Sequence, residues 1–224
     1  MSPLGGNGLY LSKNRVMDTT AVQEKKQVSV VSGRTVEVDA NLVSWDEFER
    51  EYLTREDGFK YEWVAGAVEK SEWSMNGTQL KILRSLMALF RRLLIEKKAH
   101  GELFSEPELY FDEQYRRPDV AWFTDEQIDN LADPNARDVP AFVIEVISTH
   151  DQINPMKIKM MNYRDAGVQV VWHIFPALQQ VDVYSGPNLN QMTTHVGDEI
   201  CSAAPVLPDF AISVNDIFKK TQPA

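Results

Sequence analysis

The sequence predicts an α/β fold: one core sheet flanked by helices. Three observations carry that reading. Short apolar runs rich in β-branched residues, such as Phe142-Val143-Ile144 and Val168 to Phe175, have the length and character of buried strands. A long stretch from about Thr78 to Ala99 repeats its apolar residues at the helical period. Strands and helices are mixed along the chain, with no internal repeat and no low-complexity block.

Taken in order, residues 1–26 are polar, contain glycine, show no clear period and read as a mobile tail. Val28-Ser29-Val30-Val31 and Thr35-Val36-Glu37-Val38 flank Ser32-Gly33 and predict a hairpin. Residues 1–40 are therefore set apart as a tail with a hairpin, and 41–224 as the main domain. Ser44-Trp45-Asp46-Glu47 has capping-box spacing and opens a helix to about Leu53. Lys60 to Val64 and Ala67 to Ser71 read as strands joined by Ala65-Gly66. The long helix carries Leu80, Leu83, Met87, Phe90 and Leu94 as its expected apolar stripe, and Gly101 suits its end.

Strands follow near Leu103 to Ser105, Glu108 to Phe111 and Asp119 to Phe123. Thr124-Asp125-Glu126-Gln127 caps a short helix. After the strand Ala141 to Ile147, Asn154-Pro155 starts a helix that Gly167 closes. Val168 to Phe175 and Gln180 to Tyr184 are expected to pair, with Ser185-Gly186-Pro187-Asn188 as a turn. From Gln191 onward short strands precede a last helix near Val214 to Phe218.

The composition removes several function classes. A net charge of −10 argues against a general nucleic-acid coating protein, though not against a local basic groove. No apolar run approaches the roughly 20 residues of a membrane span, and the first residues lack a signal-peptide pattern. The single Cys201 excludes an internal disulfide framework and a multi-cysteine metal cluster, so the expected compartment is the cytoplasm. There is no Walker-type loop, no dinucleotide fingerprint and no helical histidine pair for zinc.

What remains is a set of acids where acids do not belong. Glu145 interrupts the apolar run Ala141 to Ile147, and a buried carboxylate is costly unless a cation meets it. Asp119 heads a second apolar strand, Val120-Ala121-Trp122-Phe123. On neighbouring strands the two would supply the hard oxygen ligands of Mg²⁺, which often uses only one or two carboxylates plus water and substrate phosphate. Alternation puts Glu145 on a sheet face with Val143 and Ile147, opposite Phe142, Ile144 and Val146. The competing reading is a structural ion pair with Arg116, Arg117 or a lysine. Lys159 flanks the expected Met156, Met160 and Tyr163 stripe, and Lys157 lies on the other flank; either would reach inward, or both are solvated. Glu62 is a third acid, on the face opposite Tyr61 and Trp63, read equally as a site residue or an exposed one.

Six pieces in order resemble the Uma-type endonucleases of the PD-(D/E)XK, or restriction-endonuclease-like, superfamily, over about residues 42–220. They are Tyr61-Glu62-Trp63-Val64-Ala65-Gly66, Glu106-Pro107, Arg117-Pro118-Asp119-Val120-Ala121, Val143-Ile144-Glu145-Val146-Ile147-Ser148, Lys159 with Tyr163-Arg164-Asp165-Ala166-Gly167-Val168, and Trp172. The resemblance implies a restriction-endonuclease-like core, a central mixed β-sheet flanked by α-helices. It also implies a Mg²⁺ site, with Mn²⁺ as a substitute, and DNA as the partner. Asp119 matches the family's Pro-Asp aspartate, Glu145 its second acid, Lys159 its helical lysine and Glu62 its early glutamate. The chain departs from the family at Ala65, where aspartate is usual, at Gly77 or Thr78, where a histidine is common, and at Thr149, where proline is common. It departs again near Phe175, which replaces an aspartate.

The expected function is Mg²⁺-dependent hydrolysis of DNA phosphodiester bonds. Asp119, Glu145 and Glu62 would hold the metal, Glu62 as an added ligand or as an acid that orients one, and Lys159 would be catalytic. The alternative is a weakened nuclease fold serving as a binding or regulatory subunit. A homodimer is left open, and no membrane partner is expected.

Overall fold

The computed structural model describes residues 27–31, 34–38, 42–72, 76–111, 113–131, 133, 137–149, 151 and 153–219. The chain forms two units, Met1–Asn41 and Leu42–Ala224. In the first, β1 (Gln27–Val31) and β2 (Arg34–Val38) pair antiparallel with Val30 opposite Thr35. The expected tail over 1–26 and the Ser32-Gly33 turn lie outside the described residues.

The second unit opens with α1 (Trp45–Glu51), where the Ser44 hydroxyl accepts the Glu47 backbone N–H. Strands β3 (Phe59–Val64) and β4 (Ala67–Glu72) form a hairpin. Its turn residues Ala65 and Gly66 have φ of 47° and 95°, the left-handed values that a two-residue turn between twisted strands requires. An aspartate tolerates that conformation better than Ala65 does, so this departure from the family adds local strain.

Helix α2 (Gly77–Ile95) starts at Asn76, whose side chain accepts from the Thr78 and Gln79 N–H groups while the Gln79 side chain accepts from Asn76 N–H. Its buried stripe is Ile82, Leu86, Leu89, Phe90 and Leu93. Of the expected stripe Phe90 is buried, but the arc is turned around the helix: Leu80 is 54% exposed, and Leu83, Met87 and Leu94 are only flanking contacts. Apolar residues cover two adjacent stripes here, so the period alone could not centre the buried arc.

The chain continues with β5 (Glu102–Ser105), β6 (Leu109–Phe111), β7 (Gln114–Arg116), β8 (Val120–Phe123), α3 (Asp125–Asn130), β9 (Phe142–Val146) and α4 (Ile153–Ala166). Then come β10 (Val170–Phe175), β11 (Gln180–Ser185), a 3₁₀ turn at Pro187–Leu189, β12 (Gln191–Val196), β13 (Ile200–Ala203), β14 (Leu207–Ser213) and α5 (Val214–Phe218). Two details needed glycine or proline. Gly101 has φ of 71°, and a Cβ there would stand 2.0 Å from the Phe123 carbonyl oxygen, so β5 can run beside β8 only from a glycine. Pro155 falls inside the first turn of α4, where its missing N–H leaves no intrahelical bond unmade.

Six strands make the central sheet in the order β12-β11-β10-β9-β8-β5. Only β9 and β10 run parallel, with α4 as their crossover; the other pairs are antiparallel, so the sheet is mixed as expected. One face carries Val120, Trp122, Phe142, Ile144, Val170, Trp172 and Ile174, packed against α2, α5 and Phe210 of β14. The other face carries Ala121, Phe123, Val143 and Val171, packed against Tyr163 of α4 and Leu109 and Phe111 of β6. A smaller four-stranded sheet, β4-β3-β7-β6, puts Tyr61, Trp63 and Tyr115 against Phe48 of α1. Among the described residues no helix is long and apolar enough to cross a membrane.

Candidate active site

Glu145 is on the face of β9 that carries Val143, as strand alternation requires. Val120 pairs with Ile144, so Asp119 and Glu145 stand one residue further along, at the same end of two adjacent antiparallel strands. Residues opposite one another in such a pair share a face. Asp119 is anchored at the strand end, where its Oδ2 accepts the Val146 backbone N–H at 2.6 Å.

Lys159 comes in from α4. Its Nζ is 2.8 Å from Glu145 Oε1 and 3.0 Å from Glu62 Oε1. Lys157, on the same helix, is exposed. Tyr163, one turn along from Lys159, donates its hydroxyl to Glu145 Oε1 at 2.6 Å. Glu62 arrives from β3, on the face opposite Tyr61 and Trp63. It is buried, which removes the reading of an exposed strand acid. Both its oxygens are engaged: Oε1 also accepts the Arg117 N–H at 2.7 Å, and Oε2 takes Arg116 Nη1 at 2.9 Å.

Arg116 is fully buried and gathers Glu62, Glu69 and Asn162. Its Nη1 reaches Glu69 Oε2 at 2.6 Å, and Nε and Nη2 donate to Asn162 Oδ1 at 3.1 and 2.6 Å. It therefore pairs with Glu62 rather than with Glu145, the partner weighed from the sequence. The cation that meets Glu145 is Lys159.

The electrostatics follow from this geometry. Burial pushes the Asp119 carboxyl up to about 6, helped by the nearby Glu145 charge and opposed by Lys60, the Val146 N–H and Lys159. Burial also works against ionised Glu62. Lys159, Arg116, Lys60 and the Arg117 N–H outweigh it and bring that carboxyl down to about 2. Lys159 is disfavoured by burial, yet Glu145 and Glu62 hold its ammonium above the ordinary range. Tyr163 is pushed well up by burial and stays a donor. His173, beside Glu145 on β10, is brought down to about 4 by burial and is neutral at physiological pH.

Whether this set fits a metal depends on its free oxygens. Asp119 Oδ1 and Glu145 Oε2 accept no hydrogen bond among the described residues. Those residues hold no group of three or more His, Cys, Asp or Glu side chains arranged around a metal position. Two carboxylates with spare oxygens still fit Mg²⁺, which completes its octahedron with water and substrate phosphate. A set of one or two carboxylates suits neither a structural zinc nor an all-protein calcium cage.

Residues 45–215 match the sequence profile of the Uma2 family, described as "Putative restriction endonuclease". The chain belongs to the Uma2 family. Its fold is similar to the crystal structure of a putative nuclease belonging to DUF820 from Anabaena variabilis ATCC 29413. The two share 19% identity with a TM-score of 0.64 over 77% of this chain and 96% of that one. No curated protein matches the chain.

Three members of the cluster, Lys60, Asn162 and Glu69, were not singled out from the sequence although each has a usable signal, and a fourth, Arg116, was weighed only as a partner of Glu145. Lys60 is two residues before Glu62 and so shares its strand face. Asn162 is three residues after Lys159 and shares its helix face. Arg116 precedes Asp119 by three, but its strand β7 has three residues and was not foreseen. Glu69 faces Glu62 across the hairpin, a like-charge pair that calls for a cation.

Proposed function

We propose that this protein is a Mg²⁺-dependent endonuclease that hydrolyses DNA phosphodiester bonds. The observation that carries the proposal is the convergence of Asp119 and Glu145 at one end of adjacent strands, with Lys159 Nζ 2.8 Å from Glu145. Asp119 Oδ1 and Glu145 Oε2 would hold the metal. When bound, the ion supplies Lewis-acid polarisation of the phosphate and a lowered pKa for the attacking water. A water oxygen bonds to phosphorus, the bond to the leaving sugar oxygen breaks, and that oxygen is released as a hydroxyl.

Lys159 stays protonated between two carboxylates, so it serves as a fixed positive donor that orients the water or meets charge in the transition state, not as a base. Glu62 takes the orienting role rather than that of a direct ligand, because both its oxygens are engaged. Tyr163 donates to the same Glu145 oxygen and helps fix its rotamer. The test is incubation with supercoiled, linear and single-stranded DNA in Mg²⁺ or Mn²⁺, against chelator, beside Asp119→Asn. Cleavage by the wild type in metal alone is expected. Cleavage that persists in chelator or in the variant would reject the proposal.

A second reading, a weakened nuclease fold acting as a binding or regulatory subunit, is favoured by the sharing of Lys159 between Glu145 and Glu62. That arrangement is also what a structural ion pair produces. It predicts a folded protein that cleaves none of these DNA forms in either metal.

A further inference from the structure

Two lysines face the site, and their donor capacity differs. Lys159 Nζ spends two donors on Glu145 and Glu62. Lys60 is on β3 two residues before Glu62, and its charge helps lower the Glu62 carboxyl. The Lys60 side chain is 9% exposed, and among the described residues the one acid oxygen within 4 Å of its Nζ is Asp119 Oδ1 at 3.9 Å. That is too long for a hydrogen bond. Among the described residues the Lys60 ammonium makes no side-chain hydrogen bond. An ammonium has three donors, and beyond this one long contact those of Lys60 are left to solvent or to a ligand. It is on the Asp119 side of the cluster, while Lys159 is on the Glu145 side.

We infer that Lys60 is a second substrate-contacting cation, which donates to a non-bridging oxygen of the DNA phosphate entering beside Asp119. This rests on the nuclease reading for the identity of the substrate. The acid cluster repels a bare phosphate, and an ammonium with spare donors beside Asp119 Oδ1 answers that repulsion. Lys159 keeps the carboxylates in place, and Lys60 meets the phosphate.

The experiment separates binding from cleavage. A phosphorothioate-protected DNA duplex in Mg²⁺ is titrated against wild type, Lys60→Met and Lys60→Arg over a range of salt, and cleavage of an ordinary duplex is measured in parallel. Methionine keeps most of the apolar stem, and melting temperatures check the fold. One lost phosphate contact should lower the slope of log K against log salt by about 0.9 and weaken binding roughly tenfold. Lys60→Arg should restore both. If that pattern appears and no protein cleaves, the inference stands and the nuclease reading falls. If the wild type cleaves and Lys60→Met binds with an unchanged slope, the inference falls and the nuclease reading stands. A shift in the Mg²⁺ dependence alone would make Lys60 a positioning residue for Asp119 and overturn the inference. A wild type that neither binds nor cleaves overturns both.

Discussion

Replacing Asp119 by asparagine should make the metal-free protein more stable at neutral pH. The Asp119 carboxyl is pushed up from its ordinary 3.8 to about 6, by burial first and by Glu145 second. The side chain is 14% exposed, so solvent screens little of this. A gap of about two pH units, at about 1.4 kcal/mol each, corresponds to ~3 kcal/mol of penalty on the ionised form. Below about pH 4 the carboxyl is protonated in both the folded and unfolded chain and contributes nothing. Between about pH 4 and 6 the unfolded chain loses its proton first, so wild-type stability falls as pH rises. Above about pH 6 the whole penalty is present.

Asp119→Asn removes that penalty and keeps an oxygen that can accept the Val146 N–H. The gain should approach ~3 kcal/mol at pH 7.5, or about 6–12 °C in melting temperature for a domain of this size. It should shrink toward zero as the pH falls to about 4. Mg²⁺ at a hundredfold excess over Kd should stabilise the wild type by about 2.7 kcal/mol, nearly closing the gap, and leave the variant unmoved. Thermal melts from pH 4 to 8, with and without Mg²⁺, measure all of this. A variant that melts below the wild type at every pH, with no Mg²⁺ shift in either, would refute the reasoning and mark Asp119 as a purely structural strand cap.

Lys159→Ala strips the cation from two buried carboxylates; it should lose about 3–5 kcal/mol in urea denaturation and at least about 100-fold in cleavage, whereas exposed Lys157→Ala should stay within about 0.5 kcal/mol. Glu145→Gln should abolish cleavage but lose only about 1.5–3 kcal/mol, because Lys159 keeps Glu62; a larger loss by melting would mean that Glu62 cannot hold Lys159 alone. Leu86→Ala, fully buried in α2, should lose about 2–5 kcal/mol, while Leu80→Ala should lose little; equal effects would contradict the observed stripe. A chain beginning at Leu42 should melt within about 2 °C of the full one, and a larger drop would show that residues 1–41 dock on the main unit.

Most of the fold was legible because its signals are local. Ser44 and Thr124 cap helices where their capping-box spacing says they should. The alternation in β9 puts Glu145 on the face that periodicity assigns. What was not legible depends on contacts between distant segments. Arg116 reaches Asn162 over 46 positions and Glu62 over 54, and no period or spacing links such residues. The choice of Lys159 over Lys157 was open on helical geometry alone, since both flank the stripe. In the structure Lys159 is the lysine that meets Glu62, which β3 delivers. The buried arc of α2 went astray for the opposite reason: the local signal was too broad to choose a centre.

The charges of the cluster are not all closed to the same degree. Glu62 and Glu69 share Arg116, and Glu62 and Glu145 share Lys159, all at hydrogen-bond distance. Those pairs would be equally at home in an inert scaffold, although Glu145 Oε2 takes no part in them. Asp119 and Lys60 are different. Opposite charges face one another at 3.9 Å, and neither closes on the other. A scaffold gains by bringing such a pair into hydrogen-bond contact, because an ion pair left at 3.9 Å recovers only part of the two desolvation penalties. A site that must admit a cation on the carboxylate and an anion on the ammonium gains by keeping them apart. The Asp119–Lys60 gap is therefore where the structural and catalytic readings diverge. A double-mutant cycle on Asp119→Asn and Lys60→Met, read in metal-free stability, measures the difference. A weak coupling, under about 1 kcal/mol, belongs to a gap held open for ligands, and a strong coupling of about 2–3 kcal/mol belongs to a closed ion pair.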